Sequence, residues 1–397
     1  METLYKYQNQ LIASTEFLFR RSLIEEIEWQ ERLIGLLGPR GVGKTTCLLQ
    51  HLVDNPSQAR TSLYVSLDNL ANPYPTLISL AETFYQKGGK LLILDEIHKY
   101  PGWAGEIKNI YDLFPGLQVV FSGSSILKLM YEGVDLSRRA VIYHLNGLSF
   151  REFLQVQTGK KLPWYSLEVI LKDHETIALS LLKELKPLQY FSDYLRWGYF
   201  PFFLQGKLTY SLKLQGIINY ILETEIPAIS NLDIRNVRKI KRALQIIAEH
   251  VPYQPNITKL ASSLELNRNT LLQYLVFLEQ TGIITSLYHE GSFYGRLTKP
   301  GKILLNHPNH CYTLSTGEVN MGSIREGFFV NQILTRHKVE LATKGDFLIN
   351  EKHTFEIGGK GKNRKQIAGT TSGYIVTDDT ELGYENKIPL WLFGFLY

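Results

Sequence analysis

One stretch constrains this chain more than any other: Gly38-Pro39-Arg40-Gly41-Val42-Gly43-Lys44-Thr45-Thr46. It matches GxxxxGK[ST] at every fixed position. It follows a short apolar run, 33–37, and opens a helical pattern, 46–53. Glycines let backbone N–H groups turn inward around phosphate oxygens, and the helix that follows aims its positive end at them. The expectation is a strand–loop–helix unit in which residues 38–46 cradle the phosphates of a nucleotide. Lys44 would reach the β- and γ-phosphates, and the Thr45 hydroxyl would hold Mg²⁺.

A loop of this kind needs a sheet behind it, and the pattern supplies one. Apolar strands are expected at 62–67 (ending at Asp68), 90–94 (ending at Asp95-Glu96), 117–122 (ending at Gly123-Ser124-Ser125) and 140–145. Helical stretches separate them, which indicates an α/β parallel sheet covered on both faces. Asp95 and Glu96 stand where a Walker B pair belongs, Asp95 holding Mg²⁺ through water and Glu96 orienting the attacking water. Ser124 could contact the γ-phosphate or remain an ordinary turn residue. Arg138 and Arg139 precede the last strand, where an arginine finger acts in cis or on a neighbouring subunit; a surface basic pair is the competing reading. His98 has no second His or Cys at ligand spacing, so it reads as a supporting group rather than a metal ligand.

The chain has 397 residues, more than one core usually organises, so two to four domains are expected. With 44% apolar and 20% charged residues it is not a disordered or low-complexity chain. Two cysteines cannot form a disulfide framework. The first residues lack the apolar core of a signal peptide, and no window is long and apolar enough for a membrane span. A cytoplasmic location with no membrane partner is the expectation.

The net charge of +5 is informative once located. Residues 1–205 carry 21 basic and 21 acidic residues, and 310–397 carry 10 and 10. Residues 206–309 carry 12 and 7, the whole excess. That segment also contains a helix-turn-helix pattern, 257–264 and 269–280, followed by a hairpin-like wing, 283–288 and 293–297. Its second helix would present Asn267, Arg268, Asn269, Thr270, Gln273 and Tyr274, types that read grooves and touch phosphates. Arg238 and Lys239 precede it and Arg296 lies on the wing, so Arg238, Lys239, Arg268, Asn269, Gln273 and Arg296 form a candidate nucleic-acid face. Winged helices also bind proteins, and that reading stays open.

In order, GPRGVGKTT, LLILDEIHKYPGW, FSGSSILKL and LSRRAVIYHLNGLSFREFL resemble the AAA-type ATPases of bacteria and archaea. GYFPFFL (198–204) and REGFFVNQI…GDFLI…FEIGGK…NKIPLWLFGF resemble the branch whose C-terminal half is a domain of unknown function. The resemblance implies an ATPase core (1–149), a helical lid (150–205), a winged-helix domain (206–309) and a small α+β module similar to restriction endonucleases (310–397). It implies ATP and Mg²⁺ as ligands and places the first sensor on Ser124. No residue after Phe150 is assignable as the second sensor, Arg196 being only a candidate.

Endonucleases of that type use an acid on one strand and Glu-x-Lys on the next. Asp346 and Glu356 occupy the acidic places as candidate metal ligands, with Glu326 on the preceding helix. Gly358 stands where the lysine is expected. A bulge at Gly359 could return Lys360 to the site, or the module could have lost its metal chemistry, which is the favoured reading. The function expected is an ATP-hydrolysing enzyme acting on nucleic acid, with double-stranded DNA as partner. The alternative is a nucleotide-controlled switch for a protein partner or a homo-oligomer.

Overall fold

In the computed structural model, the run Leu33–Leu37 is a strand (β1) buried at all five positions. Residues without polar backbone partners could not be buried in this way, so β1 must lie inside a sheet. The structure describes all residues except 69–73, 124–135, 137, 231–233, 292–298, 363–366, 368 and 371. It divides into two compact units, Met1–Gly147 and Leu148–Tyr397.

The first unit is built on a five-stranded parallel sheet of order β2-β3-β4-β1-β5. The strands are β1, β2 (Ser62–Ser66), β3 (Leu91–Asp95), β4 (Gln118–Gly123) and β5 (Val141–His144). β3 is buried throughout, as its unbroken LLILD predicts. Helices Leu77–Gln86 and Trp103–Leu113 contribute Leu80, Phe84, Trp103 and Ile107 to the core, all at most 1% exposed. β2 is an edge strand, and the helix Glu2–Ser14 packs on it. Gln8, itself buried, accepts a hydrogen bond from the Tyr64 backbone N–H at 2.7 Å, which satisfies an edge donor.

The second unit begins with helices Phe150–Thr158 and Leu167–Leu182. Tyr194–Gly198 is a π-helical turn, and the fully buried Asn309 explains it. Its side-chain amide donates to the Tyr194 and Leu195 carbonyls at 3.1 and 2.7 Å and accepts from the Tyr199 N–H at 3.0 Å. An inserted side chain thus takes the hydrogen bonds that the widened turn releases.

Helices Ile257–Ser263 and Arg268–Gln280 follow, capped by Asn256 and Asn267. β6 (Ile284–Leu287) pairs antiparallel with β7 (Lys302–Leu305). The partner expected from the sequence, 293–297, lies outside the described residues. A five-stranded mixed sheet completes the unit: β8 (Val339–Leu341), β9 (Phe347–Ile349), β10 (His353–Gly358), β11 (Gly373–Thr377) and β12 (Lys387–Pro389). Helix Met321–Leu334 packs on β10, and the apolar segment Leu390–Phe395 is entirely buried against it. Among the described residues no helix is long and apolar enough to cross a membrane.

Candidate nucleotide site

β1 ends at Leu37 and the phosphate loop begins. At Gly38 a Cβ would collide with the Leu145 carbonyl oxygen, so only glycine permits this close approach. Gly41 and Gly43 have φ of 87° and 97°, in the left-handed region. Gly43 caps the helix Lys44–Asp54, whose positive end therefore faces the loop. The Lys44 ammonium donates to the carbonyls of Gly38 and Pro39 at 2.9 and 3.0 Å. It is 4% exposed and is held inside the loop it would serve.

Asp95, at the end of β3, is 2% exposed. Its Oδ2 accepts from the Thr45 hydroxyl at 2.6 Å and from the Tyr64 hydroxyl at 2.6 Å. Its Oδ1 accepts from the Ser122 hydroxyl and from the Glu96 N–H. Burial and the Asp95 charge push the Tyr64 hydroxyl far above the usual phenol range, so it stays a donor. A hydroxyl and a carboxylate in contact at a phosphate loop are the oxygen donors that Mg²⁺ takes. The described residues therefore fit that ion.

Glu96 has φ of 55°, unusual for a residue with a side chain. The turn re-aims its carboxylate, and His98 Nε2 lies 3.4 Å from Glu96 Oε2. A cavity of about 660 Å³ opens beside these groups, lined by Tyr7, Leu11, Arg40, Thr45, Tyr64 and Glu96 among others.

Sequence reasoning missed two of these contacts. Tyr64 sits in an apolar strand and gave no motif signal. Ser122 is the first serine of a run whose second, Ser124, is the expected sensor; Ser124 lies outside the described residues, whereas Ser122 is buried on Asp95. The arginines are placed differently from the cis reading. Arg139 stands before β5, level with Arg32 and about 20 Å along the strands from the loop, at 3.3 Å per residue. It forks onto the Asp112 carboxylate at 3.0 and 3.1 Å, holding that carboxyl below its ordinary range. Arg138 is exposed at the same end of the sheet. Neither reaches the phosphate loop of its own chain, so the two readings left are a surface basic pair, which the Asp112 contact favours, and donation to a neighbouring copy.

In the second unit Arg238, Arg268, Asn269 and Gln273 are exposed. Lys239 donates to the Glu265 carbonyl at 2.7 Å, which joins the basic helix Ile234–Glu249 to the turn between the two capped helices. Tyr274 is 1% exposed and belongs to the core, not to the presented face. Arg296 lies outside the described residues. Arg196 stacks 5.4 Å from the Tyr312 ring centroid.

Asp346 precedes β9 directly across from Glu356 on β10. The Asp346 carboxylate accepts from the Ile357 N–H at 2.7 Å. Glu356 is fully buried and is paired with Lys362, not with Lys360. The turn Gly359–Lys362, closed by a 2.9 Å backbone hydrogen bond, is the reason.

A parallel sheet with a glycine-rich loop after β1 and a buried aspartate at the end of β3 defines a P-loop fold. Residues 30–154 match the AAA domain family, so the first unit is an AAA-type P-loop ATPase domain. Residues 188–306 match a family described as a domain of unknown function. An uncharacterized protein of Methanocaldococcus jannaschii is 28% identical over 291 residues, 69% of this chain and 60% of that protein. The chain thus spans somewhat under two thirds of this curated relative. Among solved structures, AMPPCP-bound DnaA from Aquifex aeolicus is 15% identical, with 65% of this chain and 84% of that chain covered, at a TM-score of 0.26. NtrX from Brucella abortus in complex with ATP is 18% identical, with 71% and 73% covered, at a TM-score of 0.27.

Proposed function

We propose that the chain binds ATP in the phosphate loop, hydrolyses it slowly, and uses its nucleotide state to control how the second unit meets nucleic acid. The contact of the Thr45 hydroxyl with the Asp95 carboxylate, beside a loop that already holds Lys44, carries this reading. Backbone N–H groups of residues 41–45 take the phosphate oxygens, and Lys44 exchanges its loop carbonyls for the β- and γ-phosphates. Thr45 and Asp95 hold Mg²⁺, which when bound neutralises charge on the transferring phosphoryl group. Glu96, re-aimed by its left-handed turn, orients the attacking water and takes its proton. His98 holds the Glu96 carboxylate.

The exposed Arg238, Arg268, Asn269 and Gln273 support a winged-helix contact with double-stranded DNA. ATP turnover measured with and without such DNA, at two salt concentrations, tests the whole proposal. Stimulation that fades as salt rises is expected. Turnover indifferent to DNA, with an oligomeric state that follows nucleotide, would replace it with the protein-partner switch. Lys44→Ala tests the nucleotide site itself: ATP affinity should be lost.

A further inference from the structure

Three carboxylates, two at the sheet β8–β12 and one on the helix that covers it, act on one another. Asp346 and Glu356 are direct neighbours across β9 and β10. Glu326, on the helix Met321–Leu334, is pushed above the ordinary carboxylate range by burial and by the charges of the other two. Burial also raises Glu356. Three such groups would usually gather a divalent cation. Here two ammonium groups stand among them. Lys302, with a side chain 12% exposed, pairs with Glu326 at 2.9 Å and lies 5.1 Å from the Phe347 ring centroid. Lys362 pairs with the buried Glu356.

Gly358 makes the second pair possible. A Cβ at this position would lie 2.6–2.9 Å from the Lys362 side-chain carbons. The stem of Lys362 therefore crosses β10 through the space that a side chain at 358 would fill. Among the described residues no group of three or more His, Cys, Asp or Glu is arranged to hold a metal ion. Two of the three carboxylates are engaged by lysine instead, and the third, Asp346, by the Ile357 N–H.

We infer that Lys362, admitted over the strand by Gly358, and Lys302 are the built-in counter-ions of this centre and take the place of a divalent cation. The centre is then a metal-independent scaffold rather than a metal-activated phosphodiesterase. This goes beyond the nucleotide-site reading and does not depend on it.

The test uses the full chain carrying Asp95→Asn, so that Mn²⁺ reports on the second unit alone. Thermal unfolding and Mn²⁺ titration are followed without nucleotide. The parent should show no Mn²⁺-dependent shift. Lys362→Met leaves a buried carboxylate without its partner, so its Tm should fall by about 5–10 °C. Millimolar Mn²⁺ should then restore most of that loss, because the vacated charge favours a cation. Glu356→Gln with Lys362→Met removes both charges; this variant should regain stability and ignore Mn²⁺. Mn²⁺ binding in the parent that Glu356→Gln abolishes would overturn the inference. So would an unshifted Lys362→Met, or one that falls without Mn²⁺ rescue. If Lys362→Met does not fold, the double variant decides: folded and blind to Mn²⁺ supports the inference, unfolded overturns it. A failed nucleotide site would appear separately, as unchanged ATP affinity in Lys44→Ala.

Discussion

The hydroxyls of Thr45 and Tyr64 donate to the same oxygen, Asp95 Oδ2, each at 2.6 Å. One comes from the phosphate loop and the other from the neighbouring strand β2, so the carboxylate is fixed from two sides. A hydrogen bond to a charged acceptor is worth about 1.5–3 kcal/mol. Tyr64→Phe removes that donor and little volume. It should leave the fold intact and raise the Mg²⁺ concentration for half-maximal ATP turnover about tenfold, with the affinity for metal-free nucleotide unchanged. A Mg²⁺ titration of turnover in the two proteins checks this, and superimposable curves would refute it.

Glu96 points its carboxylate toward His98 from a backbone conformation that few residues with side chains adopt. Glu96→Gln keeps the shape and loses the base. ATP affinity should persist while turnover falls by about 10²-fold or more. Single-turnover kinetics beside equilibrium nucleotide binding separates the two effects. Hydrolysis at the parental rate would remove Glu96 from the role.

His307 and His310 are both buried in the second unit, and burial depresses both, His310 to about 4. His307 Nδ1 accepts from the Asn309 N–H at 3.1 Å, which requires an unprotonated nitrogen. An unfolded histidine titrates near 6.5. A depressed folded value means that stability is fully present above about pH 6.5 and is lost as pH falls toward 4. For His310 the loss over that window is about 3 kcal/mol. Melting curves from pH 7 to 4 should fall steeply in the parent and less steeply in His310→Gln. Parallel curves would show that another group governs the acid limb.

The candidate DNA face separates by charge. Arg268→Ala should weaken binding to any duplex and reduce the slope of log affinity against log salt by about one. Gln273→Ala, removing no charge, should leave that slope unchanged. Fluorescence anisotropy at several salt concentrations distinguishes them. An Arg268→Ala slope equal to the parent's would place the contact elsewhere.

The phosphate loop was legible because its chemistry is local: each glycine and Lys44 act through a backbone shape that eight consecutive residues encode. Asp95 was legible for a related reason, since it ends an unbroken apolar strand. Tyr64 and Ser122 were not, because their roles follow from strand order. β2 and β4 flank β3, and only that arrangement brings both hydroxyls to one carboxylate. The exposure of Gln273 and the burial of Tyr274 show a second limit. Neighbours on a helix differ by about 100° in direction, and a polar handle does not say which way a tyrosine faces. Lys362 was hidden by a turn: a spacing rule written for a straight strand looks two residues past Glu356 and finds glycine.

The stretch that matches the AAA domain begins at residue 30, yet the sheet's outer border is finished by the helix Glu2–Ser14. Gln8 binds the backbone of the same Tyr64 whose hydroxyl steadies Asp95. A fragment cut at the boundary of resemblance would keep every motif and still lose the brace on its acidic centre. The match starts at residue 30, yet a side chain at position 8 reaches the strand that carries Tyr64.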